Sequence, residues 1–230
     1  MRHLIKFAFA APLMLPSPAL ADALQQQVLA GAKSVSPGDF AFTQNSVFER
    51  AGKPPKLFVS HFDPKKPAGS RWTFSKVDGR VPTAKDIAAS TKRANSNPVP
   101  TYSDIGKWFG APATRTATNG ERVTYHFARL PAGVMKFGNH DASADTSADA
   151  IVNTGGKVPF VENVRFISTK PFRMALVAKL ERLVITSSNR LMPDGRPVPM
   201  LIAFEMRGSL FGKSDGMKTV TNFVDVRSVQ

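Results

Sequence analysis

The chain has 230 residues, of which 31 are basic and 17 acidic, giving a formal charge of +14, and it contains no cysteine. The missing cysteine excludes disulfides, thiol nucleophiles and the lipid-bearing cysteine of a bacterial lipoprotein. The basic excess selects anionic partners.

Residues 1–21 read as a secretory signal. Arg2, His3 and Lys6 form a basic start, Phe7 to Leu15 an apolar stretch, and Ala19-Leu20-Ala21 a small-x-small cleavage site. Pro12, Pro16 and Pro18 leave the apolar run shorter than the roughly 20 residues a spanning helix needs. The expected mature chain begins at Asp22 and resides in the periplasm, or is secreted. Residues 22–230 suffice for one α+β domain.

Asp22 to Val35 carries Leu24, Val28 and Ala32 at i, i+4 spacing and predicts a helix. Strands follow over 40–50 and 56–62, separated by Gly52-Lys53-Pro54-Pro55, and over 71–77, ending at Asp78-Gly79. Thr83 with Asp86 three residues on predicts a capped second helix over 83–93, its narrow buried face made by Ile87, Ala88, Thr91 and Ala94. Residues 95–100 are expected to be irregular because of Pro98 and Pro100. A short helical turn carries Ile105, Trp108 and Phe109.

From Ala113 the pattern becomes a meander. Asn119-Gly120 predicts a type I′ hairpin, since both central positions need positive φ. Residues 139–148 (NHDASADTSA) read as a polar, mobile loop. Strands are expected over 149–153, 160–168, 172–187, 198–210 and 218–229. In the last two, Ile202, Phe204, Met206 and Leu210 share an apolar face, and Val220, Val224 and Val226 repeat it. The expected architecture is a curved, mostly antiparallel, half-barrel-like sheet with two or three N-terminal helices on one face.

Charge concentrates between Arg50 and Arg93, where eleven basic residues face only Asp63, Asp78 and Asp86, with Phe58, Phe62, Trp72 and Phe74 interleaved. In a cytoplasmic chain that mixture would suggest nucleic acid. Export redirects it to an anionic membrane surface or an acidic protein, with Lys65, Lys66, Arg71, Lys76 and Arg80 as the contact residues, while the general solubility of a basic exported protein would use the same charges. Methionines and aromatics of the last third, chiefly Met174, Phe204, Met206 and Phe223, are the candidate lining for a lipid-like ligand, because unbranched thioethers adapt to irregular apolar shapes. An ordinary sheet core would use the same residues.

Catalytic motifs are thin. There is no nucleophile elbow, S-x-x-K pair, H-E-x-x-H helix or P-loop, and the reading assigns no catalytic residue, no cofactor and no metal. His61-Phe62-Asp63 and His140-Asp141 place carboxylates beside imidazoles, but neighbouring strand positions point to opposite faces. Gly155-Gly156 reads as a turn.

Two helices and a long antiparallel meander behind a signal resemble the periplasmic outer-membrane lipoprotein carrier fold of Gram-negative bacteria, the LolA and LolB type. That resemblance implies an open half-barrel lidded by helices, with acyl chains held between them. Phe62-Asp63-Pro64, Arg71-Trp72-Thr73, Val77-Asp78-Gly79 and Pro82-Thr83 resemble a run found in uncharacterised exported proteobacterial proteins, which implies no activity. Three functions remain open: a noncatalytic carrier of an apolar or lipid-like ligand, possessing a basic surface for partners; an envelope protein-interaction module without a small ligand; and a hydrolase whose site is dispersed over residues such as His61, Asp63 and His126.

Overall fold

The computed structural model describes residues 21–96, 99–175 and 178–229. Apart from Ala21, the predicted signal lies outside the described residues.

The first helix, α1 (Ala23–Lys33), starts where a side chain can cap it. Asp22 accepts from the Gln25 N–H, and the Gln25 side chain accepts from the Asp22 N–H. This reciprocal box satisfies two amide donors that a helix start otherwise leaves unpaired. Asp22 also accepts from the Tyr125 hydroxyl at 2.7 Å, and the buried Gln25 amide donates to the carbonyls of Phe109 and Ala111. Val28 and Ala32 bury the inner stripe.

Strands β1 (Phe40–Arg50), β2 (Lys53–Phe62) and β3 (Trp72–Val77) precede α2 (Ala84–Ser96). The turn between β1 and β2 closes at Ala51-Gly52, with Gly52 at φ +72°, so Pro54 and Pro55 belong to the start of β2 rather than to the turn. The Thr83–Asp86 box forms as expected. However, α2 continues to Ser96, past the predicted stop, since no helix breaker precedes Pro98.

A 3₁₀ segment (Tyr102–Lys107) follows, then β4 (Thr114–Asn119), β5 (Arg122–Phe127), the short pair β6 (Lys136–Phe137) and β7 (His140–Asp141), and β8 (Thr146–Asn153). Asn119 pairs with Arg122, which leaves Gly120 and Glu121 as the central turn residues. Only Gly120 has positive φ, at +57°. The turn is therefore shifted one residue from the expected type I′ and has the Gly-X form of type II′.

The segment expected to be a mobile loop is ordered. Ser143 and Thr146 are fully buried, and Asp141 accepts from the Ser143 hydroxyl and from the amides of Ser143 and Gly133. Next come β9 (Phe160–Ser168), β10 (Phe172–Ala175), β11 (Ala178–Leu191), β12 (Pro197–Leu210) and β13 (Lys213–Ser228). The single strand expected over 172–187 is a hairpin of β10 on β11.

The main sheet is antiparallel and open, in the order β3-β2-β1-β13-β12-β11-β9-β8-β5-β4, with β10 paired to β11. Directly opposed residues share a face. One row on the concave face therefore runs Lys56, Phe48, Thr219, Phe204, Ile185, Phe166, Ala148, Phe127. Burial changes steadily along it. At the far end α1 and the 3₁₀ segment cover β5, β8 and β9, burying Phe127, Ala148, Phe166, Trp108 and Phe109 in the main core. At the near end Phe48 and Thr219 are only half-buried.

Two satellite clusters lie between. Phe172, Leu180 and Leu183 pack with Phe204 and Met206, and Phe42, Phe62 and Phe223 pack with Trp72 and Ile202. On β13 the face assignment differs from expectation. Thr219, Thr221 and Phe223 point to the concave side, Val220 lies on the other face, and Val224 is 37% exposed. Asp225, at φ +53° beside the irregular Ala41/Thr43 register, breaks the alternation and returns Val226 to the core.

The titratable groups bracket stability on both sides. Arg122 holds Glu162 below the usual carboxylate range, Arg196 does so for Asp194, Arg50 for Asp215, and the Ser143 hydroxyl for Asp141. Burial pushes the Tyr102 and Tyr125 phenols above their ordinary value. The carboxylate contribution is complete above the unfolded value and disappears as pH falls through the lower folded one. The phenol contribution is complete below about pH 10 and disappears as pH rises beyond it. Urea midpoints measured from pH 2 to 11 should show a plateau between about pH 5 and 9 and decline on both sides.

Candidate functional site

Where the concave face is least covered, it encloses a hollow of about 750 Å³ between the β3-β2-β1-β13 end of the sheet and α2. That size falls within the roughly 300–1,000 Å³ of small-molecule sites. Strand alternation supplies its floor. Gln44, Ser46, Phe48 and Arg50 come from β1; Lys56, Phe58 and Ser60 from β2; Trp72 and Phe74 from β3; Met217, Thr219 and Thr221 from β13. Lys53 and Pro100 complete the margin.

The roof is α2, through Ser90, Arg93 and Ala94, which the helical repeat places on one face. This explains why a helix with good capping has so little core. Ser90 is buried, while Ile87, expected in the buried face, is 45% exposed. The helix is held mainly at its start: Asp86 accepts from Thr83 and is bridged by Arg80 at 2.7 Å, which keeps its carboxyl well below the usual range.

Chemically the hollow is divided. Phe48, Phe58, Trp72, Phe74 and Met217 give it apolar walls, and Trp72 is fixed by packing against Phe42 and Phe62 at 5.8 and 5.0 Å. Hydroxyls line the middle of the floor, with Ser46 and Thr221 hydrogen-bonded to each other at 2.9 Å. Cations stand around it: Arg50, Lys53 and Lys56 at the β1–β2 turn, and Arg93, whose guanidinium lies 5.6 Å from the Phe58 ring centroid. Asp215 holds Arg50 through two hydrogen bonds at 2.6 and 3.2 Å. Among the described residues no carboxylate lines the hollow.

No sequence family matches the chain, and no curated protein does. Among solved structures it is similar to a DUF1329 family protein from Desulfovibrio piger, known from a crystal structure. The two are 13% identical over 90% of this chain and 92% of that one, with a TM-score of 0.41.

None of the residues expected to line a ligand site is among those lining the hollow. Phe204 and Met206 pack against the Phe172 cluster, although their cross-strand partners Thr219 and Met217 line the hollow. Phe223 is buried with Phe42 and Phe62, and Met174 belongs to β10. Lys65, Lys66, Arg71 and Lys76 are exposed on and around the edge strand β3, and Arg80 bridges Asp86. The sequence signal that marked the hollow was the interleaving of Phe58, Trp72 and Phe74 with lysines and arginines.

The dispersed hydrolase residues are not brought together. His61 bonds Thr43 at 2.9 Å on β2, and Asp63 accepts from the Lys65 N–H in the following turn. His126 pairs with Asp149 at 2.7 Å on β5, seven strand steps away in the sheet order. His140 stacks on Phe172 at 4.5 Å. Among the described residues no group of three or more His, Asp or Glu could hold a metal ion, and no helix is long and apolar enough to cross a membrane.

Proposed function

We propose that this protein is a noncatalytic carrier that shields the apolar chain of an amphiphile in the hollow beneath α2, with exchange taking place in the periplasm. The observation that carries this reading is the hollow itself: aromatic walls left unfilled on the sheet face whose other end is a packed core. Burying ten methylenes there contributes about 8 kcal/mol before the costs of association and ordering. The helical roof rests on few core contacts, so it can move aside for entry without disturbing the main cluster. The exposed Lys65, Lys66 and Lys76 offer a separate contact for an anionic membrane or an acidic protein.

The test is uptake of a fluorescent fatty acid by the purified protein, paired with mass spectrometry of lipid retained through native purification. Thr219→Phe puts a ring into the hollow at a strand position that tolerates aromatics. It should lower affinity at least tenfold with the unfolding midpoint little changed. Absence of both uptake and retained lipid in the unaltered protein would sink the reading.

A protein-interaction role without a ligand is favoured by one observation. Strand β4 lies at the open sheet edge and is exposed at all six positions. Such an edge is a template for strand addition.

A further inference from the structure

Charge around the hollow specifies more than an apolar cargo. We infer that its ligand is an amphiphile with an anionic head group, held at the β1–β2 turn by Lys53 and Lys56, with its chain running over Phe58 and Phe74 toward Trp72. This rests on the reading of the hollow as an amphiphile site.

Among the described residues four cationic side chains line the hollow and no acidic one does. Arg50 is held by Asp215, so it fixes the local geometry more than it offers charge. Among the described residues neither Lys53 nor Lys56 closes an ion pair within 4 Å, although Lys53 is near enough to Asp215 to help hold its carboxyl below the usual range, and both are exposed at the margin. They are spaced by three along β2, where Lys53 pairs with Arg50 and Lys56 with Phe48. The ammonium of Lys56 is thus carried on the strand whose next inward residue is the aromatic wall, Phe58.

The polarity of the strand then orders the ligand. From the β1–β2 turn inward, concave positions pass from Lys56 to Phe58, Ser60 and Phe62, and Trp72 stands opposite Phe62. A cationic end followed by an aromatic run matches a molecule charged at one end and apolar along its length. A neutral head would leave the lysines in water and gain nothing from them. A cationic head would be opposed by Lys56 and by Lys53, whose charge Asp215 offsets only in part because it is already bonded to Arg50. The lysines sit at a solvent boundary, so their effect should be salt-sensitive.

Calorimetric titration below micellar concentration with laurate, monolaurin and dodecyltrimethylammonium compares three heads on chains of matched length. Laurate should bind at least tenfold more tightly than either of the others, and high salt should narrow that margin. In Lys53→Glu/Lys56→Glu the preference should fall below twofold or reverse, whereas Arg190→Glu, an exposed cation on β11, should keep it. Equal binding of all three heads would overturn the head-group inference and leave the hollow reading standing. A preference retained in the double variant would overturn the assignment to these lysines. If none of the three binds, the hollow reading itself fails.

Discussion

Trp108→Ala should lower the unfolding free energy by about 3–5 kcal/mol, the range for removing a large buried aromatic. Trp108 is 4% exposed and makes edge contacts with Phe109, Phe127 and Phe166 at ring separations of 5.5, 5.2 and 5.1 Å. Its removal leaves a cavity where the 3₁₀ segment meets three sheet and loop aromatics, each itself buried in the main core. Trp72→Ala should behave differently. That ring is half-buried at the hollow, so its loss should cost about 1–2 kcal/mol of stability yet weaken amphiphile affinity at least tenfold. Urea denaturation and fatty-acid titration of the two variants separate the roles. An equal stability loss in both would show that Trp72 is ordinary core.

Gly208→Ala should be nearly as damaging, at about 3 kcal/mol. An added Cβ would fall against the Lys179 carbonyl oxygen, well inside van der Waals contact, and 3.1 Å from the Leu180 Cα. Both are backbone atoms of the paired strand, and the irregular register between Leu180 and Arg182 brings them close. Neither can move without breaking the ladder between β11 and β12. Gly155→Ala is the control. Its Cβ would meet the Glu121 carboxylate, the far end of an exposed side chain that can swing into water. The change should stay within about 0.5 kcal/mol. Chemical denaturation midpoints of both variants check the contrast, and a mild effect at Gly208 would mean that the strand pair is looser than its register indicates.

What the sequence disclosed and what it withheld divide along physical lines. Periodic and capped elements were legible: Leu24, Val28 and Ala32 announced α1 by their spacing and Thr83 with Asp86 announced the start of α2, whereas the Asp22 cap on α1 emerged only from the structure. The antiparallel meander followed from alternation. The break between β10 and β11 was not legible, because Phe172 to Ile185 contains no glycine or proline to announce a turn. Asn119-Gly120 was legible as a hairpin but not in register, since cross-strand pairing of Asn119 with Arg122 decided which two residues turn.

The hollow was hidden for a subtler reason. Ser46, Ser60, Thr219 and Thr221 look like solvent-facing strand positions, and on a filled sheet they would be. They face inward here because α2 stands over the sheet without filling it, and unfilled space has no pattern of its own in the sequence. The apolar residues of the last third were visible as apolar, but whether Phe204 and Phe223 fill the interior or border a void depends on which elements cover them.

The pairing of the first strand with the last imposes an order of events. Phe40 meets Ser228 and Arg50 meets Met217, so the strands that floor the hollow come from opposite ends of the chain. Contacts of such long range form late and slowly. The β5–β12 meander can assemble from near neighbours, while β1, β2, β3 and α2 have nothing to dock on until β13 arrives. The hollow beneath α2 is therefore the last part of the concave face to form, closing only after the packed end of the sheet is already in place.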